Sequence, residues 1–190
     1  MMNDLSFFPF PDIHTRHLVL RQLRPTDDKE IMVLRSNEKI LQFLVIPRCN
    51  NLLEATQFID KINNSIKNNE SIYWGITGKD VDTLIGTICL WNISKQNFRA
   101  EIGYVLHPDF HGKGFMSEAL DAVLDYGFTY MNLHSIEANV HPDNKQSIKL
   151  LEKKGFVKEA HLKENVFFEG NFLDTAIYSL LNKKKTVLSF

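Results

Sequence analysis

The sequence predicts one mixed domain of strands and helices, α/β or α+β in class, on three observations. Residues 98–106 alternate apolar and polar types, the pattern of a half-buried strand. Ala55, Phe58, Ile59, Ile62 and Ile66 recur at three- and four-residue intervals, the stripe of an amphipathic helix. Segments of both periods are interleaved along 190 residues, with no repeat, heptad run or low-complexity linker to divide them.

Each element follows from local chemistry. Leu18 to Leu23 reads as a short strand closed by Pro25, and Asp27-Asp28 suit the first turn of a helix running through Ile31, Leu34 and Arg35. The 55–66 stripe marks the next helix. Ile72 to Thr77 and Leu84 to Ile93, joined by a turn at Gly78-Lys79-Asp80, read as antiparallel neighbours. In the strand that follows, Phe98, Ala100, Ile102, Tyr104 and Leu106 share one face, and Asn97, Arg99, Glu101, Gly103 and Val105 the other. A helix to about Met131 carries Met116, Leu120, Val123, Leu124 and Met131 on its apolar side. Ile136, Ala138 and Val140 alternate as a strand, Asp143 is placed to cap a helix, and Gly155 suits that helix's end. Two strands, roughly 156–168 and 172–181, precede a solvated tail beginning at Lys183.

Composition limits the function. With 44% hydrophobic residues, a chain of this length fills a core without metal or disulfide staples. A formal charge of −1 and a pI of about 6.7 speak against a protein built to neutralise nucleic-acid phosphates. Cys49 and Cys89 are too few for a disulfide framework or a four-cysteine zinc site. Pro108 between His107 and His111 disfavours a helical metal pair. No apolar run approaches the span of a bilayer, and the first residues lack a basic signal region. The expectation is a cytoplasmic single domain over 1–190, with 1–13 as an N-terminal extension and 183–190 as a tail. It has no metal, nucleic-acid or membrane partner, and a homodimer stays open.

The chemistry concentrates in His107-Pro108-Asp109-Phe110-His111-Gly112-Lys113-Gly114-Phe115-Met116-Ser117-Glu118-Ala119. A strand end, a turn with two glycines and a helix start follow one another. Glycine allows close backbone approach and positive φ. First-turn N–H groups lack internal partners, and the helix dipole adds positive charge, so together they suit a phosphate or diphosphate. A tight turn that merely uses glycine explains the fragment equally well. A Walker-type loop is excluded, because Gly114 follows Lys113 where Ser or Thr is required. The dinucleotide fingerprint fails for want of a third glycine.

His111-Gly112-Lys113-Gly114-Phe115-Met116 resembles motif A of the GNAT superfamily of N-acetyltransferases, whose usual form is Gln/Arg-x-x-Gly-x-Gly/Ala. Asn144-x-x-Ser147 and Leu151-Glu152-Lys153-Lys154-Gly155-Phe156 are similar to the family's second signature. Thr15 to Arg21 with Asp27, and Gly170-x-Phe172-x-Asp174-x-x-x-Tyr178, resemble the branch of ribosomal-protein N-terminal (alanine or serine) acetyltransferases and some polyamine acetyltransferases. The resemblance implies a GNAT fold: a mixed, mostly antiparallel sheet of about seven strands with splayed central parallel strands, flanked by helices. It implies acetyl-CoA as co-substrate in the V between segments 97–107 and 135–141. The diphosphate would sit on the amides of His111, Gly112, Lys113, Gly114, Phe115, Met116 and Ser117, with Asn144 nearby. The pantetheine arm would lie along Tyr104, Val105 and Leu106.

The family tyrosine that protonates the leaving thiolate falls at Leu151, which leaves Ser147 or a water for that role, unless Ser147 only packs its helix. Glu101 is the candidate base, with Glu137 in reserve on the face it shares with Asn139 and His141; a plain surface carboxylate paired with Arg99 is the competing reading. An amine must lose a proton to attack a thioester. At pH 7 that costs about 4–5 kcal/mol for a lysine-like amine and about 1 kcal/mol for an α-amine. Trp74, Trp91 and Phe110 either wall an acceptor pocket or pack the core. The expected activity is direct acetyl transfer to an amine, a protein or peptide N-terminus first. A polyamine or aminoglycoside, or a CoA-binding sensor without catalysis, are the alternatives.

Overall fold

A computed structural model describes residues 5–183. Eight strands form one sheet: β1 (Ile13–His14), β2 (Leu18–Arg21), β3 (Ile72–Gly78), β4 (Leu84–Ser94), β5 (Arg99–Leu106), β6 (Ser135–Val140), β7 (Val157–Phe168) and β8 (Asn171–Leu181). Their spatial order is β1-β2-β3-β4-β5-β6-β8-β7, and every neighbouring pair is antiparallel except β5–β6. Five helices cover it: α1 (Asp28–Leu34), α2 (Glu38–Leu41), α3 (Leu52–Lys67), α4 (Phe115–Thr129) and α5 (Lys145–Lys153). None of the described helices is long and apolar enough to cross a membrane.

Consecutive strand residues point to opposite faces, so adjacent Leu84 and Ile85 report two cores. Ile85 belongs with Ile88, Leu90, Ala100 and Ile102 and the α4 residues Met116, Leu120 and Val123. Leu84 belongs with Ile31 and Leu34 of α1 and Ala55 and Ile59 of α3. The 55–66 stripe and the 116–124 stripe thus cover different sides of one sheet.

Several boundaries differ from the sequence reading. The first strand stops at Arg21, whose buried guanidinium is held by Asp27 (2.8 Å) and Asp82 (2.7 Å). Asp27 ends a 3₁₀ turn, Pro25–Asp27, before α1 begins at Asp28. The four-residue α2 is too short to show a period and was not anticipated. α4 ends at Thr129, and Met131 is buried just beyond it. Asn144, not Asp143, caps α5: its Oδ1 accepts from Ser147 N at 3.1 Å, because the chain between Asp143 and Lys145 is already committed to a turn.

The strand beyond the expected seven is β1, at the edge of the segment read as an extension. That segment is packed: Phe7 is buried, and Phe10 meets the ring of Trp74 edge-on. Trp74 is fully buried and donates Nε1–H to Pro11 O at 2.8 Å, so it is core and not a pocket wall. Of the tail, only Lys183 lies within the described residues.

Parallel pairing between β5 and β6 lasts for three residue pairs: Arg99 with Ser135, Ala100 with Ile136, and Glu101 with Glu137. Past these the strands separate.

Candidate active site

A cleft of about 1460 Å³ opens where β5 and β6 part. All the catalytic and cofactor-binding residues expected from the sequence line it except Lys113: Glu101, Tyr104, Val105, Leu106, His111, Gly112, Gly114, Phe115, Met116, Ser117, Asn144 and Ser147. Lys113 turns aside, its Nζ 5.2 Å from the centre of the Phe110 ring.

At one end, Gly112 (φ +73°) and Gly114 (φ +83°) take left-handed conformations that a side chain would strain. A Cβ on either would meet nothing within 4 Å, so open space surrounds the turn. Among the described residues no protein acceptor is found for the N–H groups of residues 112–117, while Glu118 N already bonds to Gly114 O. His111 is the exception in the run: its N–H donates to Pro108 O at 3.0 Å. Its Nε2 lies 2.9 Å from Leu106 O and ties the turn to the end of β5. Six donors at a helix start, unspent and facing space, fit a diphosphate.

The start of α4 is fixed from outside. Glu118 accepts from Thr15 Oγ1 (2.6 Å) and His17 N (2.7 Å) and pairs with His17 Nδ1 (2.8 Å). Partial burial opposes ionisation of this carboxyl, and the hydrogen bonds outweigh it, holding its pKa at about 2.

The middle of the cleft is the bare edge of β5. Antiparallel ladders use alternate residues on alternate edges. His107 N bonds to Ile85 O on the β4 side, and Phe98 O accepts from Ser135 N on the β6 side. Tyr104, six residues beyond Phe98, therefore turns its main-chain groups to the side that β6 has left. A linear arm bearing amides fits that edge as an added strand would. The Tyr104 hydroxyl lies 2.6 Å from Ser147 Oγ on α5, and burial pushes the phenol up to about 12. Leu151 is only 1% exposed and holds α5 in the core.

Glu101 sits at the fork, opposite Glu137 in the last parallel pair. Burial raises its pKa above the ordinary glutamate value, and amide donors from Asn92 and Asn139 partly offset this. Asn92 Nδ2 donates to Glu101 Oε2 at 3.0 Å. Arg99 does not pair with Glu101, as the competing reading supposed; it bonds to Glu137, which also accepts from Asn139 at 3.0 Å. Asp174, also in the wall, is held by His161 at 2.7 Å. Among the described residues Glu101 has no cation within ion-pair distance.

Beyond Glu101 an apolar arm is walled by Trp91, Phe43, Ile46, Phe58 and Tyr73, with Arg35 among them; Phe110 lines the cleft toward the glycine turn. Sequence reasoning missed Arg35, Asn92 and the 43–47 segment. Asn92 breaks the strand alternation at φ +48°, beside an irregularity in the β4–β5 register. An asparagine inside a strand run is the signal that pointed there. No group of three or more His, Cys, Asp or Glu among the described residues is placed to hold a metal.

A family model described as "Acetyltransferase (GNAT) domain" matches residues 17–157. The uncharacterized N-acetyltransferase YoaA of Bacillus subtilis (strain 168) is 33% identical over 176 residues, covering 93% of this chain and 99% of that one. The crystal structure of ribosomal-protein-S5-alanine acetyltransferase from Vibrio fischeri superposes with a TM-score of 0.81 at 25% identity, over 91% of this chain and 97% of that one. Spermidine N-acetyltransferase from Vibrio cholerae, solved with CoA and spermine, gives 0.76 at 30% identity, over 86% and 95%. The splayed parallel pair, the unspent donors on the glycine turn and these likenesses agree: the chain belongs to the GNAT family of acetyl-CoA-dependent acetyltransferases.

Proposed function

We propose that the acceptor is the α-amine of a protein or peptide N-terminus, and that Glu101 takes its proton. The carrying observation is that, of the two carboxylates that face each other at the fork, Glu137 is paired with Arg99 and Glu101 has no cation among the described residues. Several free carboxylates would suit a polyamine, which carries a positive charge on every nitrogen. A single half-buried one with a raised pKa suits one amine that is easily deprotonated. The likeness to the S5-alanine enzyme of Vibrio fischeri supports the same reading.

Acetyl-CoA supplies a thioester that the amine attacks directly, without an acyl-enzyme. The amides of Gly112 to Ser117 hold the diphosphate, and the Tyr104 edge of β5 aligns the arm. Ser147 offers its hydroxyl hydrogen bond to the departing sulfur while Tyr104, whose raised pKa keeps the phenol protonated, holds it in place; the proton that leaves with the thiol is the one Glu101 takes from the amine. Capping of α5 by Asn144 aims Ser147 at the cleft.

The 30% likeness to spermidine N-acetyltransferase favours a small-amine acceptor as the second reading. The test is release of free thiol from acetyl-CoA with peptides bearing Ala, Ser or Met termini, with spermidine and with an aminoglycoside. Peptide turnover ahead of the small amines supports the proposal, and the reverse order installs the second reading. CoA binding with no turnover of any amine supports a sensor.

A further inference from the structure

The geometry points to Arg35 as the anchor for an anionic group on the acceptor, so that the substrate carries a carboxylate near the amine that is acetylated. The inference rests on the acetyltransferase reading of the cleft and specifies its substrate class. Arg35 stands at the end of α1, its guanidinium carbon 4.1 Å above the centre of the Phe58 ring. Among the described residues a single protein acceptor is found for its N–H groups, Pro47 O at 3.2 Å from Nη2. A guanidinium has five donors in a planar fork that matches a carboxylate. Arg21, Arg24, Arg48 and Arg99 each face a carboxylate within 4 Å. Arg35 has none among the described residues, although burial lowers its pKa and so disfavours its charge.

A charge taken partly out of water and left unpaired in a binding cleft is costly unless a ligand completes it. Stacking on Phe58 holds the plane rigid, and the Pro47 contact holds one corner, leaving the remaining donors for a ligand. Lys39 and Lys61 also line the cleft, without ion pairs among the described residues, and Glu70 is a further acid in its wall. Glu101, at the fork, is an unpaired negative group there. A molecule with an ammonium at one end and a carboxylate on the same short chain suits both: a peptide N-terminus followed by Asp or Glu, or a free amino acid. A polyamine would set a cation against Arg35.

The test uses peptides of one length, identical except for Asp, Asn or Lys at positions two and three, together with free amino acids. For the wild type, kcat/KM for the acidic peptide exceeds that for the neutral one by about 10- to 100-fold, the worth of a hydrogen-bonded charge pair, and the difference lies in KM. Free amino acids acting as well as acidic peptides would assign the carboxylate to the α position. Arg35→Gln abolishes the preference, Arg35→Glu turns it toward the Lys peptide, and Arg35→Lys restores part of it. CoA binding by calorimetry and Tm identify any variant that fails to fold. Binding of the N-acetylated acidic peptide to the CoA-loaded protein, also by calorimetry, supplies a readout free of turnover. Turnover without an acid preference, or a preference that survives Arg35→Gln, overturns the inference and leaves the enzyme intact. Arg35-dependent binding of the acidic peptide without any turnover keeps the inference and refutes the acceptor chemistry.

Discussion

Replacing Glu101 by Gln keeps the side-chain volume and one oxygen for Asn92 while removing the proton acceptor at the fork. Its worth depends on the amine. For an α-amine of pKa about 7.8, the neutral form at pH 7 lies about 1 kcal/mol above the ammonium; for a spermidine-like amine near 10.4 the gap is about 4–5 kcal/mol. A positioned base contributes about 10²–10⁴-fold. At pH 7 we therefore expect kcat/KM to fall at least about tenfold, or roughly 1.4 kcal/mol. By pH 9 an α-amine is mostly neutral in solution, and the defect shrinks; for a polyamine it persists. The wild-type profile also carries a sign. Burial raises the Glu101 pKa, so its basic form appears as pH climbs through a value above the ordinary glutamate range, and kcat/KM rises there. At neutral pH the charged carboxylate is the form burial penalises, so the amide variant should melt at the same temperature or higher. Steady-state kinetics from pH 5 to 9, with CoA binding as control, decide the matter. Unchanged turnover at pH 7 with intact CoA binding removes Glu101 as the base.

Three further outcomes follow from the geometry. Gly114→Ala puts a side chain at φ +83° with no protein atom to collide with, so in the CoA-free protein the cost is backbone strain alone, about 1–2 kcal/mol, and the Tm should drop by about 2–4 °C per kcal/mol in a scanning melt. Asp27→Ala takes from the buried Arg21 guanidinium one of its two carboxylates and should cost about 3 kcal/mol in a urea titration, with the slope unchanged. The Glu118 carboxyl has a folded pKa of about 2, below its unfolded value. Its stabilisation is therefore complete above the unfolded pKa and lost as pH falls through about 2, so wild type and Glu118→Gln should differ most in Tm at neutral pH and converge by pH 2.

What could be read from the sequence was whatever local chemistry alone determines. The 98–106 alternation placed the faces of β5, and glycines before a helix start marked unspent donors, because both depend on neighbours a few residues apart. The cap of α5 was placed one position early, at Asp143, since Asp143 is as good a capping type as Asn144 and only the turn geometry separates them. The Tyr104–Ser147 contact joins residues 43 apart, and no period reveals it. The acceptor wall is least legible: residues 43–47 have no regular structure, and Arg35 looks like the last polar residue of a helix until Phe58 is beneath it. Glu101 was legible as a residue off the apolar face, but the partner of Arg99 proved to be Glu137, on a strand that reaches it from far along the chain.

The three-pair contact between β5 and β6 makes this a sheet that the protein itself does not finish. An open stretch of main chain in the middle of a sheet is a liability for self-association, and in the proposed binding mode the co-substrate arm would cover it like a ninth strand. Ligand that binds only the folded state adds about 2.7 kcal/mol of stability at a hundredfold excess over Kd. Bound CoA would then act as a structural component of the fold, and removing it should cost solubility as well as rate.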